Sequence, residues 1–152
     1  METFTTLSIE TNLQILKPPK LVFEAIVDPA EMSNYFISQS SGRMEEGKSL
    51  FWRFPEFDME FPVRVVKIVK DAYISYTWTI DNEELLVEKS LTPVANEATI
   101  ITVTEKSRNN DEAGLKWLKQ NTEGWANFLA CLKAWLEYGI NLRKGAFDFL
   151  KI

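Results

Sequence analysis

Between residues 110 and 143, apolar side chains recur at Leu115, Leu118, Trp125, Phe128, Leu129, Leu132, Leu136 and Ile140. At about 100° per residue they share one broad arc with Gly139, which predicts a long amphipathic helix. Ala126, Asn127, Ala130, Ala134, Glu137 and Asn141 fill the other side and are expected to face solvent. Asn110 reads as the N-cap, with Asp111 and Glu112 in the dipole-favoured first turn. Arg143, Lys144 and Gly145 supply a cationic end and a cap. Thirty-odd residues at roughly 1.5 Å each make a rod of about 45 Å, which needs a large apolar partner.

Upstream, alternation replaces helical spacing. Residues 3–16 read as a strand with Leu7, Ile9, Leu13 and Ile15 in its pattern. Lys17-Pro18-Pro19 stops it and starts a helix over 20–27, and Asp28-Pro29 ends that helix and caps a second one carrying Met32, Tyr35 and Phe36. Gly42 and the Glu45-Glu46-Gly47 turn bracket a short strand, and 49–54 gives the next. In the run 57–70, Phe57, Met59, Phe61, Val63 and Val65 share a face until Val66 shifts the phase, which predicts a bulge. Lys70-Asp71 and Asp81-Asn82 are turns between strands at 73–80 and 84–92, and a loop at 93–97 leads to a last strand at 98–106. The predicted fold class is α+β: a curved antiparallel sheet of about six to seven strands, two short helices after the first strand, and a long C-terminal helix that the sheet wraps. A sheet that bends away from its helix leaves room for a cavity. With no repeat or linker, residues 1–152 are expected to form a single domain.

Composition mostly excludes. There is no histidine, which removes His-based triads, His-containing zinc sites and histidine acid–base catalysis. One cysteine, Cys131, excludes an intrachain disulfide and a Cys-cluster metal site, and on the predicted helix it reads as a small packed hydrophobe. A net charge of −5 with interspersed signs disfavours nucleic acid as a partner. No apolar run has membrane-spanning length, and the first residues lack signal-peptide architecture, so no membrane insertion and a cytoplasmic location are expected. Gly-rich phosphate loops, a nucleophile elbow and paired-carboxylate motifs are absent; no metal, cofactor or catalytic residue is expected.

Several stretches resemble a known family. Leu21-Val22-Phe23-Glu24-Ala25-Ile26 followed by Asp28-Pro29 resembles the start of proteins similar to the C-terminal domain of the activator of heat-shock protein 90 ATPase, within the START-like, helix-grip (Bet v 1-like, SRPBCC) superfamily. Gly124-Trp125 with Phe128-Leu129, Leu132 and Gly139 resembles that family's C-terminal signature. Gly47 before Phe51-Trp52, and Trp78 near its strand end, also match, so the resemblance covers roughly 11–142. It implies a ligand-accommodating helix-grip domain, and for some members a role beside a chaperone.

Candidate site residues follow from strand and helix phase. Lys89 shares parity with Leu85, Val87 and Leu91, and could meet an acidic ligand or have its pKa depressed by burial. The plainer expectation is a lysine at an edge or cavity mouth whose ammonium snorkels to water. Glu105 is in phase with Ile101 and Val103, and a Lys89–Glu105 pair across the cavity would neutralise both. Asn121 lies between Leu118 and Trp125 on the sheet-facing side of the helix and could orient a ligand. Trp52, Met59, Phe61, Tyr76, Trp78, Trp125 and Phe128 complete the candidate lining, against the simpler alternative of plain core. The expected function is binding of an apolar or amphipathic small molecule. The alternatives are a chaperone-associated interaction module, or an enzyme whose base is Glu, Asp, Lys or Tyr.

Overall fold

The computed structural model describes residues 5–151. Seven strands form one antiparallel sheet, in the spatial order β1-β7-β6-β5-β4-β3-β2. They are β1 (Thr6–Ile15), β2 (Gln39–Ser40), β3 (Ser49–Arg53), β4 (Glu60–Val69), β5 (Tyr73–Ile80), β6 (Glu83–Val94) and β7 (Ala98–Asn109). Two short helices, α1 (Pro19–Val27) and α2 (Pro29–Met32), follow β1, and α3 (Glu112–Tyr138) follows β7. The inward parity of each strand and one stripe of α3 enclose a single apolar core.

Local chemistry explains most boundaries. Pro19 opens α1, and Asp28 caps α2 by accepting from Ala30 N at 3.0 Å. The expected bulge is present: the β4–β5 register slips between Val65 and Lys67, leaving Val66 outward and about half exposed. Asp81 and Asn82, both with positive φ, make the two-residue turn between β5 and β6.

Three expectations about the strands need correction. The strand read at 3–16 is Thr6–Ile15 among the described residues; Thr3 and Phe4 lie outside them. No strand forms between Gly42 and Gly47, because Met44 N bonds back to Val27 O and Lys48 N closes a turn on Glu45 O; the short strand is instead Gln39–Ser40. β4 begins at Glu60, not Phe57, because the β3–β4 ladder stops at the pair Arg53–Glu60. Phe57 and Met59 therefore belong to the connecting loop and are exposed.

The long helix is shorter than the pattern suggests. Asp111, not Asn110, caps it, accepting from Gly114 N at 2.8 Å, while Asn110 N is held by Thr5 O. It ends at Tyr138, where Gly139 adopts φ 65° and closes a left-handed cap. Ile140 thus falls beyond the apolar arc and is exposed, as is Leu115. Glu137, expected to be solvated, has a side chain 7% exposed that accepts from Leu16 N and pairs with Lys133, tying the end of α3 to the end of β1. Gly114 is required sterically: a Cβ there would lie 1.9 Å from Asn109 O.

Candidate functional site

The site is built around Glu105. Parity on β7 turns it inward with Ile101 and Val103, and its side chain is wholly buried. Among the described residues no cation lies within ion-pair range; three N–H donors hold it instead. Its Oε1 accepts from Asn121 Nδ2 at 2.9 Å and Trp125 Nε1 at 3.0 Å, and its Oε2 accepts from Trp78 Nε1 at 2.7 Å. Asn121 and Trp125 are one turn apart on α3, so the helix presents both donors together. Trp78 comes from β5, and its ring lies 5.7 Å from that of Trp125. One carboxylate thereby joins β5, β7 and α3. Charge-assisted hydrogen bonds offset its desolvation.

Lys89 stands on β6 with the same parity and is 1% exposed. β6 is flanked by β5 and β7, so the ammonium has no sheet edge from which to reach water, and the snorkelling expectation fails. Nor does it form the expected pair with Glu105: Nζ makes no hydrogen bond or ion pair among the described residues. It lies instead over four aromatic rings, 4.3 Å from the centroid of Phe128, 5.0 Å from Tyr76 and 5.1 Å from both Phe36 and Trp125. Desolvation brings its pKa down to about 7, opposed by the negative charge of Glu105.

In front of this floor lies a cavity of about 430 Å³. Phe36, Trp78, Asn121, Trp125 and Phe128 form its inner wall, and Phe54, Glu56, Phe61, Arg143 and Phe147 its mouth. The mouth is fastened by the chain beyond α3. Arg143 folds back to give Glu56 two bonds, Nη1–Oε1 at 2.7 Å and Nη2–Oε2 at 2.9 Å, with its guanidinium over Phe54 and Phe147. Arg143 is therefore not the helix's cationic end but a strap residue.

Of the ten candidate residues, Phe61, Trp78, Asn121, Trp125 and Phe128 line the cavity. Trp52, Tyr76, Lys89 and Glu105 lie directly behind its wall, fully buried, and Met59 stands apart in the exposed loop. The phenol of Tyr76 and the indole N–H of Trp52 have no hydrogen-bond partner among the described residues. Burial pushes the Tyr76 phenol well above its ordinary range, as it does that of Tyr35. Phase analysis missed Phe36, Glu56, Arg143 and Cys131 as lining. Phe36 sits in irregular chain after α2, and the Glu56–Arg143 pair spans a separation no local pattern encodes. Cys131 lies one turn after Phe128 and lines the cavity, with a thiol pushed up by burial, so it packs as a small hydrophobe. No cluster of three or more potential metal ligands occurs among the described residues. No described helix is long and apolar enough to cross a membrane.

The sheet and its grip on α3 agree with comparisons of sequence and structure. The profile described as Activator of Hsp90 ATPase homolog 1-like protein matches residues 17–137. The chain belongs to that family. Within the Activator of Hsp90 ATPase homolog 1-like family, and the START-like superfamily around it, solved structures share the fold. SSP2350 from Staphylococcus saprophyticus is 31% identical with TM-score 0.77, over 88% of this chain and 94% of that one. DynU16, from the dynemicin biosynthetic locus, is 26% identical with TM-score 0.77, and this chain spans about half (48%) of its length. The Aha1 dimer from Colwellia psychrerythraea, 20% identical with TM-score 0.75 over 88% of this chain and 98% of that one, shows the common fold. No curated protein matches the chain.

Proposed function

We propose that this protein binds an apolar or amphipathic small molecule between the sheet and α3. The observation that carries the reading is the cavity itself: about 430 Å³, lined by nine aromatic residues and by the amides of Gln120, Asn121 and Asn127. Sites of roughly 300–1,000 Å³ with an apolar lining and few polar groups are the common form of small-molecule pockets. Native mass spectrometry of freshly purified protein tests for a co-purifying ligand. Displacement of an environment-sensitive naphthalenesulfonate dye by fatty acids and aromatic alcohols then measures affinity. Saturable one-to-one displacement in the micromolar range is expected. Dye that fails to bind, or that binds without saturation, would overturn the reading.

A further inference from the structure

Gly124 stands in the interior of α3, where a glycine weakens a helix because it costs backbone entropy and adds no packing. Gly114, nearer the start of the same helix, has a steric reason, since a Cβ there would meet Asn109 O. Gly124 has none: a Cβ built on it meets nothing within 4 Å. Nor does it serve a left-handed turn, the conformation that Gly47, Gly139 and Gly145 adopt. What Gly124 does border is the cavity. Steps of four and three residues set Gln120, Gly124, Asn127 and Cys131 in one row along α3, beside the inner row of Asn121, Trp125 and Phe128. The missing side chain leaves a notch of bare helix backbone in the cavity wall, bordered by three amides.

We propose that this notch seats a flat, neutral, hydroxylated aromatic ligand, and that Gly124 determines the preference for it. The proposal deepens the binding function above and rests on it. Flatness follows from the notch. Backbone without a side chain is a surface on which a ring can lie in van der Waals contact, whereas a flexible chain can bend past a side chain and has no need of the gap. Aromatic character follows from the lining, since rings packed on rings gain more than their buried area alone gives. The hydroxyl follows from the amides. Asn121 gives an N–H to Glu105, which leaves its oxygen as an acceptor. Gln120 and Asn127 make no hydrogen bond with other described residues, so each side chain still has a donor and an acceptor to offer. A hydroxyl group answers both. Neutrality follows from the charges. Glu56 and Arg143 are the charged groups of the lining, and they satisfy each other in their two-bond pair. An ionised ligand would therefore be desolvated without a free counter-charge.

The test titrates 2-naphthol, 1-decanol and 2-naphthoate into wild-type protein and into Gly124→Ala, Gly124→Leu and Ala130→Leu, with a thermal melt of each. Naphthol is flat and neutral at pH 7, decanol has the same carbon count on a flexible chain, and naphthoate is flat but charged. Wild type is expected to bind 2-naphthol one-to-one, at least about tenfold more tightly than 2-naphthoate. Filling the notch should weaken naphthol binding about fivefold in Gly124→Ala and about fiftyfold in Gly124→Leu, with decanol affected less than about threefold. Gly124→Ala should melt no lower than wild type, so its loss of affinity cannot be a loss of fold, and it carries the test if the leucine variant misfolds. Ala130→Leu, on the exposed side of α3, should bind all three probes as wild type does. Naphthol affinity unchanged in Gly124→Ala, or naphthol and decanol weakened equally, overturns the role of the notch and leaves the binding function standing. Naphthoate bound as tightly as naphthol refutes the neutral ligand. Failure of wild type to bind either alcohol overturns this proposal, and failure of the dye as well removes the binding function with it.

Discussion

Glu56 and Arg143, 87 positions apart, meet as a two-bond ion pair at the mouth of the cavity, with side chains only 3% and 15% exposed. This pair turns an irregular loop and an irregular tail into a closed rim. Arg143→Met would strand a buried carboxylate, and a loss of about 3 kcal/mol is expected. Ligand dissociation should also quicken, by about tenfold if the rim contributes near 1.4 kcal/mol to retention. Denaturant melts and stopped-flow dye release check the two effects. If both stay at wild-type values, the rim has no gating role.

Glu105→Gln tests the carboxylate that joins three elements. The amide keeps one acceptor oxygen and turns an N–H₂ toward at least one of three N–H donors, so at least one indole or Asn121 loses its partner. A loss of about 2–4 kcal/mol is expected, with red-shifted tryptophan emission as Trp78 and Trp125 gain freedom. An unchanged midpoint and spectrum would show that the hydrogen bonds are replaceable.

Lys89 gives stability a pH dependence of known sign. Its folded pKa of about 7 lies below the unfolded value near 10.4, so between these the unfolded chain holds more protons. Stability therefore rises with pH in that window, by about 1.4 kcal/mol per unit for this group, and is lost as pH falls toward 7. Below 7 both states are charged and the penalty is constant. Lys89→Met removes the slope, so its stabilisation relative to wild type should shrink from pH 7 to pH 9. A constant difference across that range would mean that the amine titrates like a surface lysine.

Two glycines of α3 should respond oppositely to alanine. At Gly114 the new Cβ would collide with Asn109 O, and a loss of at least about 2 kcal/mol is expected. At Gly124 nothing lies within 4 Å, so Gly124→Ala should gain about 0.5–1 kcal/mol from helix propensity. Thermal melts of the two variants decide it, and similar shifts would contradict the packing at the head of α3.

The family description also suggests a chaperone role, which a surface variant separates from ligand binding. Ala126 and Ala130 are exposed on α3, whereas Glu137 is not, so Ala126→Glu with Ala130→Glu is the suitable pair. Because interface energy concentrates in few anchors, an effect on an Hsp90 ATPase that disappears in this double variant would favour the chaperone role. We expect that ATPase to be indifferent to both proteins and dye binding to be retained in both.

Much of this was readable from period alone. Leu85, Val87 and Leu91 fix the inward parity of β6, and that parity places Lys89 and, on β7, Glu105 inside. Parity gives direction but not depth. The complete burial of Lys89 follows from strand order, which is a long-range property. Alternation also overran its element at Met59, since side-chain pattern cannot report where the partner strand stops bonding. The three donors on Glu105 come from two elements besides its own, and the rim joins two segments without any period, so neither left a local trace.

The wall and the mouth of this cavity are made of different material. Trp78, Trp125 and Asn121 are fixed by ladder, helix and a shared carboxylate, and altering them disturbs the fold. Apart from Phe61 of β4, the mouth is drawn from loop residues 54–59 and the tail beyond Gly139, which form no strand. Lineages descending from such a chain can therefore diversify what enters while inheriting unchanged what waits at the bottom, and exchanging these two segments between relatives should transfer ligand preference without transferring stability.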